Sequence, residues 1–597
     1  MNAQLDTRSD ALLDADEAYI ARRIVDTCLR ENLRDIVRLG QATTPNDMFL
    51  RAWPHAYPPL WWRVAHLPGG VVWIPVTQCD YMQDIGAFSH GWIREQDGTA
   101  RYEEGAAQWL HLLSEGLDEQ TRTLHRQYAD EAACAAAHRQ LSREGFARHS
   151  AQLAQALTHD DALERALLCD QVASHRDHPF YPTARAKSGF DAADLHAYAP
   201  EFAPVFELRW LAVPHDGLTL TNTPPDFWPT MAILGLPTDM QATHYALPVH
   251  PLNWARLDDF GLPPGSVRAP RAYLAVRPTL SVRTVMPVKH PRHHIKLPLL
   301  MRTLGALNLR LIKPSTIYDG HWFEQVLNAI GAHDDKLRTR YVHVDESHGG
   351  HVEDARHLAY IVRIYPALDR ETILPVAALC ASMPDQRPLA AHVADRYYDG
   401  DVLAWWREYA ALLCDVHLRL WLRHGVALES NQQNAVLIYR NDAAPRLLMK
   451  DNDAARTLLP RLLAELPELN RLGLPRDERI VVSDDDALGR MFCTITLQLC
   501  LLAVLEGIAE YEPTWRLPFY RVLCDTLDST LATLQNEGID VQPAHRLLAA
   551  DRLPVKYLLS AGSLLSKQAT GAADINKFYG DSGPNFLLNP RLRGGAR

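Results

Sequence analysis

Apolar positions recur at helical spacing through residues 20–38 and 130–168, where Ala and Leu are frequent, and both stretches read as amphipathic helices. Between them, 71–76 (VVWIPV) has the β-branched, continuously apolar character of a short strand. From about 170 to 395 the pattern changes. Pro and His become dense, and short apolar runs alternate with turn residues. The runs 205–213 (VFELRWLAV), 272–276 (AYLAV) and 309–312 read as strands, and 322–330, after Asp319-Gly320, as helix. Beyond about 397 the helical pattern returns. Residues 402–424 carry Trp405, Trp406, Leu412, Leu413, Leu420 and Trp421 as a long apolar stripe. The runs 435–439 (AVLIY) and 446–449 then predict a hairpin, with Asn441-Asp442 and Pro445 in its turn. Helices follow to about 566, and the Gly- and Pro-bearing tail from Ala569 is expected to lack regular structure.

No internal repeat or low-complexity tract interrupts this pattern. The fold class expected is α+β, in several domains. A mostly helical 1–168 precedes a mixed α+β 169–396 and a helix-rich 397–597.

Composition narrows the function classes. Of the 597 residues 47% are apolar and 22% charged, which excludes a disordered scaffold. The formal net charge of −11 lacks the basic footprint of a non-specific nucleic-acid binder. The 9 cysteines are odd in number and include no C-x-x-C pair, so neither a disulfide framework nor a zinc ribbon is expected. The first residues carry early acids and no signal-type apolar segment, and the most apolar run, 495–505, is too short to span a bilayer. A cytoplasmic protein with no membrane partner is the expectation.

Two clusters stand out chemically. The stretch 281–296 holds Ser281, Arg283, Thr284, Lys289, Arg292 and Lys296 after a predicted strand. Guanidinium forks, an ammonium and hydroxyl donors suit a phosphate or carboxylate, although a solvated basic loop would read the same way. The second cluster flanks the predicted hairpin. Glu429, Asn431, Gln433 and Asn434 precede it, and Lys450, Asp451, Asn452 and Asp453 follow it. A hairpin brings Asn434 and Asp451 to one end, and carboxylate and amide oxygens are the hard ligands Mg²⁺ takes. A polar loop with Asx turns is the alternative. Weaker clusters are His178–Gly189, with Arg185 and Lys187, and His250-Pro251-Leu252-Asn253-Trp254, where ordinary helix capping competes. No P-loop, dinucleotide fingerprint, H-E-x-x-H or G-x-S-x-G is present.

In this order the clusters resemble the siderophore synthetases that work without a nonribosomal peptide synthetase, of the aerobactin-synthetase type, over about 170–565. Asp177-His178-Pro179-Phe180-Tyr181-Pro182, with Arg185, Lys187 and Gly189, answers that family's G-H-P-x-H-P-x-x-K-x-R-x-G. Tyr198-Ala199-Pro200-Glu201-Phe202, His250-Pro251, Ser281-x-Arg283-Thr284 with Lys296, and Lys313-Pro314-Ser315-Thr316 with Asp319-Gly320 follow in order. The most specific piece is His424-Gly425…Leu428-Glu429…Gln433-Asn434, then Lys450-Asp451.

The resemblance implies a cupped-hand fold of thumb, fingers and palm, often dimeric. It also implies an ATP- and Mg²⁺-dependent ligase that adenylates a carboxylate of citrate or a related acid and joins it to an amine or alcohol. It implies that Ser281, Arg283, Thr284, Lys296, Gln433, Asn434 and Asp451 hold the nucleotide. Glu429, Asn434 and Asp451 would hold the metal, and Lys296, Arg283 and Asn431 are the catalytic candidates. His178, Arg185, Lys187, Arg302, Thr303, Asn308 and Arg310 are the candidates for the acid. The chain departs from the family at Asn431, where His is common, and at Asn308, where many members have Arg. Tyr181-Pro182 with Arg185 likewise replaces H-P-x-x-K. The acid half therefore looks altered, and an unusual or partly built acid is expected. A non-catalytic binder of citrate or ferric siderophore is the competing class, since the C-terminal third of the family resembles a ferric-reductase-like module. A kinase-like phosphotransferase would need the Gly-rich loop that is missing.

Overall fold

The computed structural model describes residues 13–45, 50–302, 309–368, 371–441, 443–566 and 578–593. The chain opens with helix α1 (Ala15–Arg30), whose start is capped by the Asp14 carboxylate accepting from the amides of Asp16 and Glu17. The N-terminal region is less helical than its sequence pattern suggests. Before the long helix α2 (Glu119–Leu153) it holds a six-stranded antiparallel sheet, built on β1 (Leu60–Val64), β2 (Val71–Gln78), β3 (Gly91–Gln96) and β4 (Thr99–Glu104). β1 (LWWRV) and β2 (VVWIPVTQ) are both apolar, although only β2 is among the strands expected from the sequence. β3 (GWIREQ) and β4 (TARYEE) carry charges on their solvent side, so a hydrophobic-run criterion passes over them.

Helix α3 (Ala162–Ser174) leads from this region into a second sheet. Its central strands are β5 (Phe206–Pro214), β6 (Tyr273–Pro278), β7 (Thr284–Pro287), β8 (His293–Lys296), β9 (Asp345–His351) and β10 (Ala359–Ile364). They run β5-β6-β7-β8-β10-β9, all antiparallel. The register places Thr284 opposite Lys296 and His294 opposite Arg363. With side chains alternating along each strand, Lys296 and Arg363 share one face. Helix α4 (Pro314–His333) packs against β9.

A third sheet joins β11 (Thr372–Pro375) to the hairpin β12 (Ala435–Arg440) and β13 (Ala443–Met449). The hairpin expectation holds, with Ala435 opposite Met449. Because β11 pairs with β12, this sheet spans the expected division at 396/397. It packs on helix α5 (Val402–Leu422), which is buried on most sides and leaves Arg407, Glu408 and Asp415 to solvent. Trp406 stacks on Phe519 of helix α6 (Arg516–Asn536) at 4.9 Å, and Trp405 on Tyr409 at 5.5 Å. The helical rod Asp485–Ala509 lies beside them and includes a π-helical segment, Phe492–Leu502. By length and composition this rod could cross a membrane, yet 94% of its most apolar window is buried in the protein.

The C-terminal tail is more ordered than expected, since Tyr579–Pro584 pairs with Arg552–Lys556. Just before the stretch 567–577, which lies outside the described residues, Leu559 and Leu564 pack into the N-terminal core. There the buried Glu31 carboxylate accepts from the amides of Leu559 and Ser560 at 2.8 and 2.7 Å. The two ends of the chain are thereby joined.

Trp406 is fully buried and donates its indole N–H to the Phe519 carbonyl at 2.9 Å. Trp406→Ala is expected to cost about 3–5 kcal/mol, read as a shift in urea unfolding. A loss below about 1 kcal/mol would mean that the site collapses around the missing ring.

Candidate functional site

Where the N-terminal region, the second sheet and the C-terminal helices meet, they enclose a cleft of about 580 Å³. Its cationic wall is the β7–β8 hairpin and the loop before it. Thr279 closes that loop by donating both its amide and its hydroxyl to the Thr284 carbonyl, at 2.9 and 2.8 Å. Within it, the Ser281 Oγ accepts from the Thr284 amide at 3.1 Å, and the Arg283 amide donates to the Ser281 carbonyl at 2.7 Å. That tight turn forces Val282 to a φ of +64°, an unfavourable conformation for a β-branched residue. The strain lies at a cleft-lining position, as is common where side chains must be held for a ligand. The turn presents Ser281, Arg283 and Thr284 beside Lys296 on the cleft wall.

The opposite wall is the open end of the β12–β13 hairpin. The Lys450 amide donates to the Asn434 carbonyl at 3.1 Å, so the residues flanking the hairpin are adjacent, as the sequence predicts. Asn431 Oδ1 accepts from the amides of both Gln433 and Asn434 at 3.0 Å, an Asx turn that aims the next residues. The side chain of Asn431 thus organises the loop, and an amide has no proton to exchange near neutrality. Asn434 donates through Nδ2 to the Glu429 carbonyl at 3.3 Å.

Asp451 joins the walls. Its Oδ1 accepts from Lys296 Nζ and from Arg363, each at 2.6 Å. The backbone of Asp451 is left-handed, with φ of +60°. Arg363 also pairs with Glu346 at 2.7 Å, and Glu346 Oε2 accepts from the Asn452 amide at 3.0 Å. Burial opposes ionisation of Asp451, but Lys296 and Arg363 outweigh it and hold the carboxyl well below the usual range. Asp453, buried beside Asp451, is pushed the other way. Burial also lowers Arg283, and takes Arg310 down to about 10 with the help of neighbouring Arg283, which leaves Arg310 cationic at neutral pH.

The third wall comes from 177–187. Burial, with Arg23, Arg30 and Lys556 nearby, lowers His178 to about 3, so its imidazole is neutral. Its Nδ1 accepts from the amides of Phe180 and Tyr181 at 3.1 Å, which puts the proton on Nε2. Arg185 is almost fully buried and engaged with Asp177 at 2.8 Å, Ser142 at 2.8 Å and the Ser174 carbonyl at 3.1 Å. Lys187 pairs with Glu201. These cations border the cleft already matched by protein carboxylates.

Of the residues singled out from sequence, Ser281, Arg283, Thr284, Lys296, Arg310, Glu429, Asn431, Gln433, Asn434, Asp451, His178, Arg185 and Lys187 all line this cleft. Arg302 does not. It is exposed, and its backbone bridges to Ser188. Thr303 and Asn308 lie outside the described residues. Two motif histidines are structural. His424 is fully buried against Asp334 at 3.0 Å, and His250 accepts from the Leu252 amide at 3.2 Å as a helix cap.

Sequence reasoning missed Arg363 and Glu346, which fix Asp451 from outside the cleft lining, and Thr494, Gln498 and Lys556, which line it. A lone Arg inside the apolar strand AYIVRI was the available signal, since a buried charge needs a partner. Thr494 and Gln498 project from the π-helical segment, which an α-helical period does not describe.

Residues 166–381 match the IucA / IucC family, and residues 403–569 match the ferric iron reductase FhuF-like transporter family. The chain is 24% identical over 489 residues to staphyloferrin B synthase of Staphylococcus aureus, covering 75% of this chain and 80% of that protein. Over 121 residues it is 31% identical to the L-2,3-diaminopropanoate–citrate ligase of the same organism, 20% of this chain and 19% of that one. The fold is shared with the petrobactin biosynthesis protein AsbB of Bacillus anthracis, with a TM-score of 0.72 at 16% identity over 97% of both chains. It is also shared with ATP-bound aerobactin synthetase IucA of Klebsiella pneumoniae, with a TM-score of 0.70 at 14% identity over 97% of this chain and 100% of that one. Synthetases and ligases among its relatives support a siderophore-forming ligase. Its multi-domain α+β fold, the IucA / IucC match of residues 166–381 and the siderophore synthetases among its relatives make the synthetases that act without a nonribosomal peptide synthetase the family this chain is similar to.

Proposed function

We propose that this protein uses ATP to adenylate a carboxylate of citrate, or of a citrate-derived acid, and then joins that acyl group to an amine or alcohol. The observation that carries the reading is the convergence of Arg283, Lys296 and Arg310 with Glu429, Asn434 and Asp451 in one cleft. In the first step an oxygen of the acid attacks the α-phosphorus of ATP, and the bond to the β-phosphate oxygen breaks, releasing pyrophosphate. In the second, the nucleophile attacks the acyl carbon, AMP departs, and the nucleophile loses its proton. Both steps crowd negative charge, which preorganised cations lower without covalent help from the protein.

Arg283 and Lys296, on the strained hairpin, are assigned to the phosphates together with the Ser281 and Thr284 hydroxyls. Gln433 and Asn434, aimed by Asn431, complete the nucleotide side. Arg310 is assigned to the acid, in place of the arginine that many family members carry at the position of Asn308. His178, neutral with its proton on Nε2, offers the acid a donor without a charge. Arg185 and Lys187, matched by Asp177 and Glu201, shape the pocket around it.

A magnesium ion fits the oxygen donors of Glu429, Asn434 and Asp451, because Asp451 is kept ionised by its own cations and all three donors are hard. Such an ion would supply charge neutralisation at the phosphates. A homodimer in the cytoplasm is the state expected of this family.

The FhuF-like match favours a second reading, iron handling without ligation. Its cysteines argue against thiolate ligation. Burial raises the thiols of Cys414, Cys493 and Cys500, and pushes Cys524 up to about 11.

Pyrophosphate release should appear with ATP, Mg²⁺ and one acid from a panel of citrate, 2-oxoglutarate, succinate and citryl conjugates, with its hydroxamate forming when hydroxylamine is the nucleophile. Release of ADP instead would make the protein a kinase, and no release with any acid would favour the binder. Arg283→Gln should slow pyrophosphate release by about 10²–10³-fold. Arg310→Gln should raise KM for the acid while changing KM for ATP by less than about twofold. The opposite pattern would exchange the two half-sites.

His178 also predicts a pH effect. Its pKa is lowered from 6.5 to about 3, so between those values the unfolded chain binds a proton that the folded one refuses. Stability is therefore lost as pH falls through this window, by up to about 1.4 kcal/mol per pH unit. His178→Asn keeps an acceptor for the two amides and does not titrate. Its urea-unfolding stability should fall less steeply from pH 6.5 to 4 than that of the wild type, and equal slopes would show that His178 does not contribute.

A further inference from the structure

Outside the cleft, the N-terminal sheet gathers metal-ligand side chains from separate segments. His55 precedes β1, His90 precedes β3, and Glu104 ends β4. One donor atom from each lies within 4.8 Å of the other two. His55 Nε2 is 2.8 Å from Tyr102 Oη, which donates to Glu104 Oε2 at 2.6 Å. The same carboxylate oxygen is 2.9 Å from His90 Nε2. His90 Nε2 thus meets the carboxylate directly, and His55 Nε2 is linked to it through the Tyr102 hydroxyl.

The surroundings fix these orientations. Trp53 meets His55 edge-on at 5.3 Å and Tyr102 at 5.4 Å, and its indole N–H donates to the Ala56 carbonyl at 2.9 Å, tying down the loop. The His55 and His90 rings lie 5.5 Å apart. At Gly91, a Cβ would fall 2.5 Å from Tyr102 Oη, so glycine is what lets the phenol reach the carboxylate. The His90 and Glu104 side chains retain 22% and 17% exposure, enough for an ion to enter from solvent.

We propose that His55, His90 and Glu104 form a site for a divalent ion of the zinc class, with Tyr102 orienting the Glu104 carboxylate from outside. Two imidazoles and a carboxylate are a zinc donor set, and donors this close can each reach an ion at about 2.0–2.2 Å after small adjustments. Imidazole disfavours Mg²⁺ and Ca²⁺, so the site differs in kind from the oxygen donors of the cleft. The Tyr102–Glu104 hydrogen bond is the outer contact that commonly fixes a ligating carboxylate. The ion ties the 53–58 loop, the β2–β3 connection and β4 together. It leaves a coordination position for water and acts as a clamp on the sheet.

The test uses the full chain stripped with a chelator, given one equivalent of Zn²⁺, passed through gel filtration and assayed for metal. The wild type should retain one zinc, and its Tm should rise with zinc concentration. His55→Gln and His90→Gln should lose both effects while keeping the wild-type circular dichroism. Glu429→Gln, a change in the cleft, should lose neither. Tyr102→Phe should weaken zinc binding by about 10–100-fold. Co²⁺ in place of zinc should give the visible absorption of a tetrahedral site, absent in His90→Gln. No retained zinc in the wild type would show that the cluster is a hydrogen-bonded chain and nothing more. Retention unaffected by His90→Gln, or lost in Glu429→Gln, would move the metal elsewhere. Either result overturns the proposal.

Discussion

The Asp451 carboxylate, gripped by Lys296 and Arg363, is the contact on which the cleft depends. It connects three pieces of chain that have no sequence proximity: the β7–β8 hairpin, strand β10 and the exit of the β12–β13 hairpin. Taking these charges out of water costs several kcal/mol per ion, which only close pairing offsets. The second carboxylate, Glu346, meets this need by pairing with Arg363 and by accepting the Asn452 amide. Two acids and two cations are thus matched at the junction, and the left-handed backbone at Asp451 is the local strain that brings its side chain into reach. Removing any one member strands a buried charge, so the junction fixes geometry as much as it adds stability.

Much of this was legible in the sequence, for identifiable reasons. The β12–β13 hairpin was visible because its two apolar runs flank a short polar turn, and it carried Asn434 and Asp451 to one end. Ser281, Arg283 and Lys296 were legible as a cationic cluster after a strand. The meeting of Lys296 with Asp451 was not, nor was the pairing of β8 with β10 that sets Arg363 beside Lys296, since neither periodicity nor spacing encodes a long-range register. Arg363 shows the same gap. Its strand reads as core, and its partner Glu346 lies in a different strand. The N-terminal sheet escaped because β3 and β4 are largely polar. The π-helical Phe492–Leu502 read as an ordinary buried helix because an apolar run has no face from which its period could be told.

The two groups of cations around the cleft differ in what they can do for a ligand. Arg185 and Lys187 face Asp177 and Glu201, so their charges are spent within the protein. Arg283 and Arg310 stand next to one another; burial lowers both, Arg283 lowers Arg310 further, and the Asp451 carboxylate opposes the shift at each. Two neighbouring cations favour an anion placed between them. On the proposed reading, anions meet the side of the cleft that holds Arg283 and Arg310 rather than the side where Arg185 and Lys187 pair with carboxylates.

On the proposed reading, this asymmetry bears on the departures at Asn308 and Asn431. Losing an arginine at 308 would cost a carboxylate ligand its partner, yet Arg310 lines the cleft two residues further on, in the short strand Leu309–Arg310. A cation is still present in this stretch, two residues later in the sequence. Asn431 is consistent with such a division: its amide fixes the nucleotide-side loop and brings no titrating group to the acid, leaving the proton of the nucleophile to be taken by water, phosphate or another residue of the cleft. The nucleotide half of the cleft is thus held by a network that tolerates little change. The acid half rests on Arg310 and on the neutral His178, groups that can be moved or exchanged without breaking the junction at Asp451.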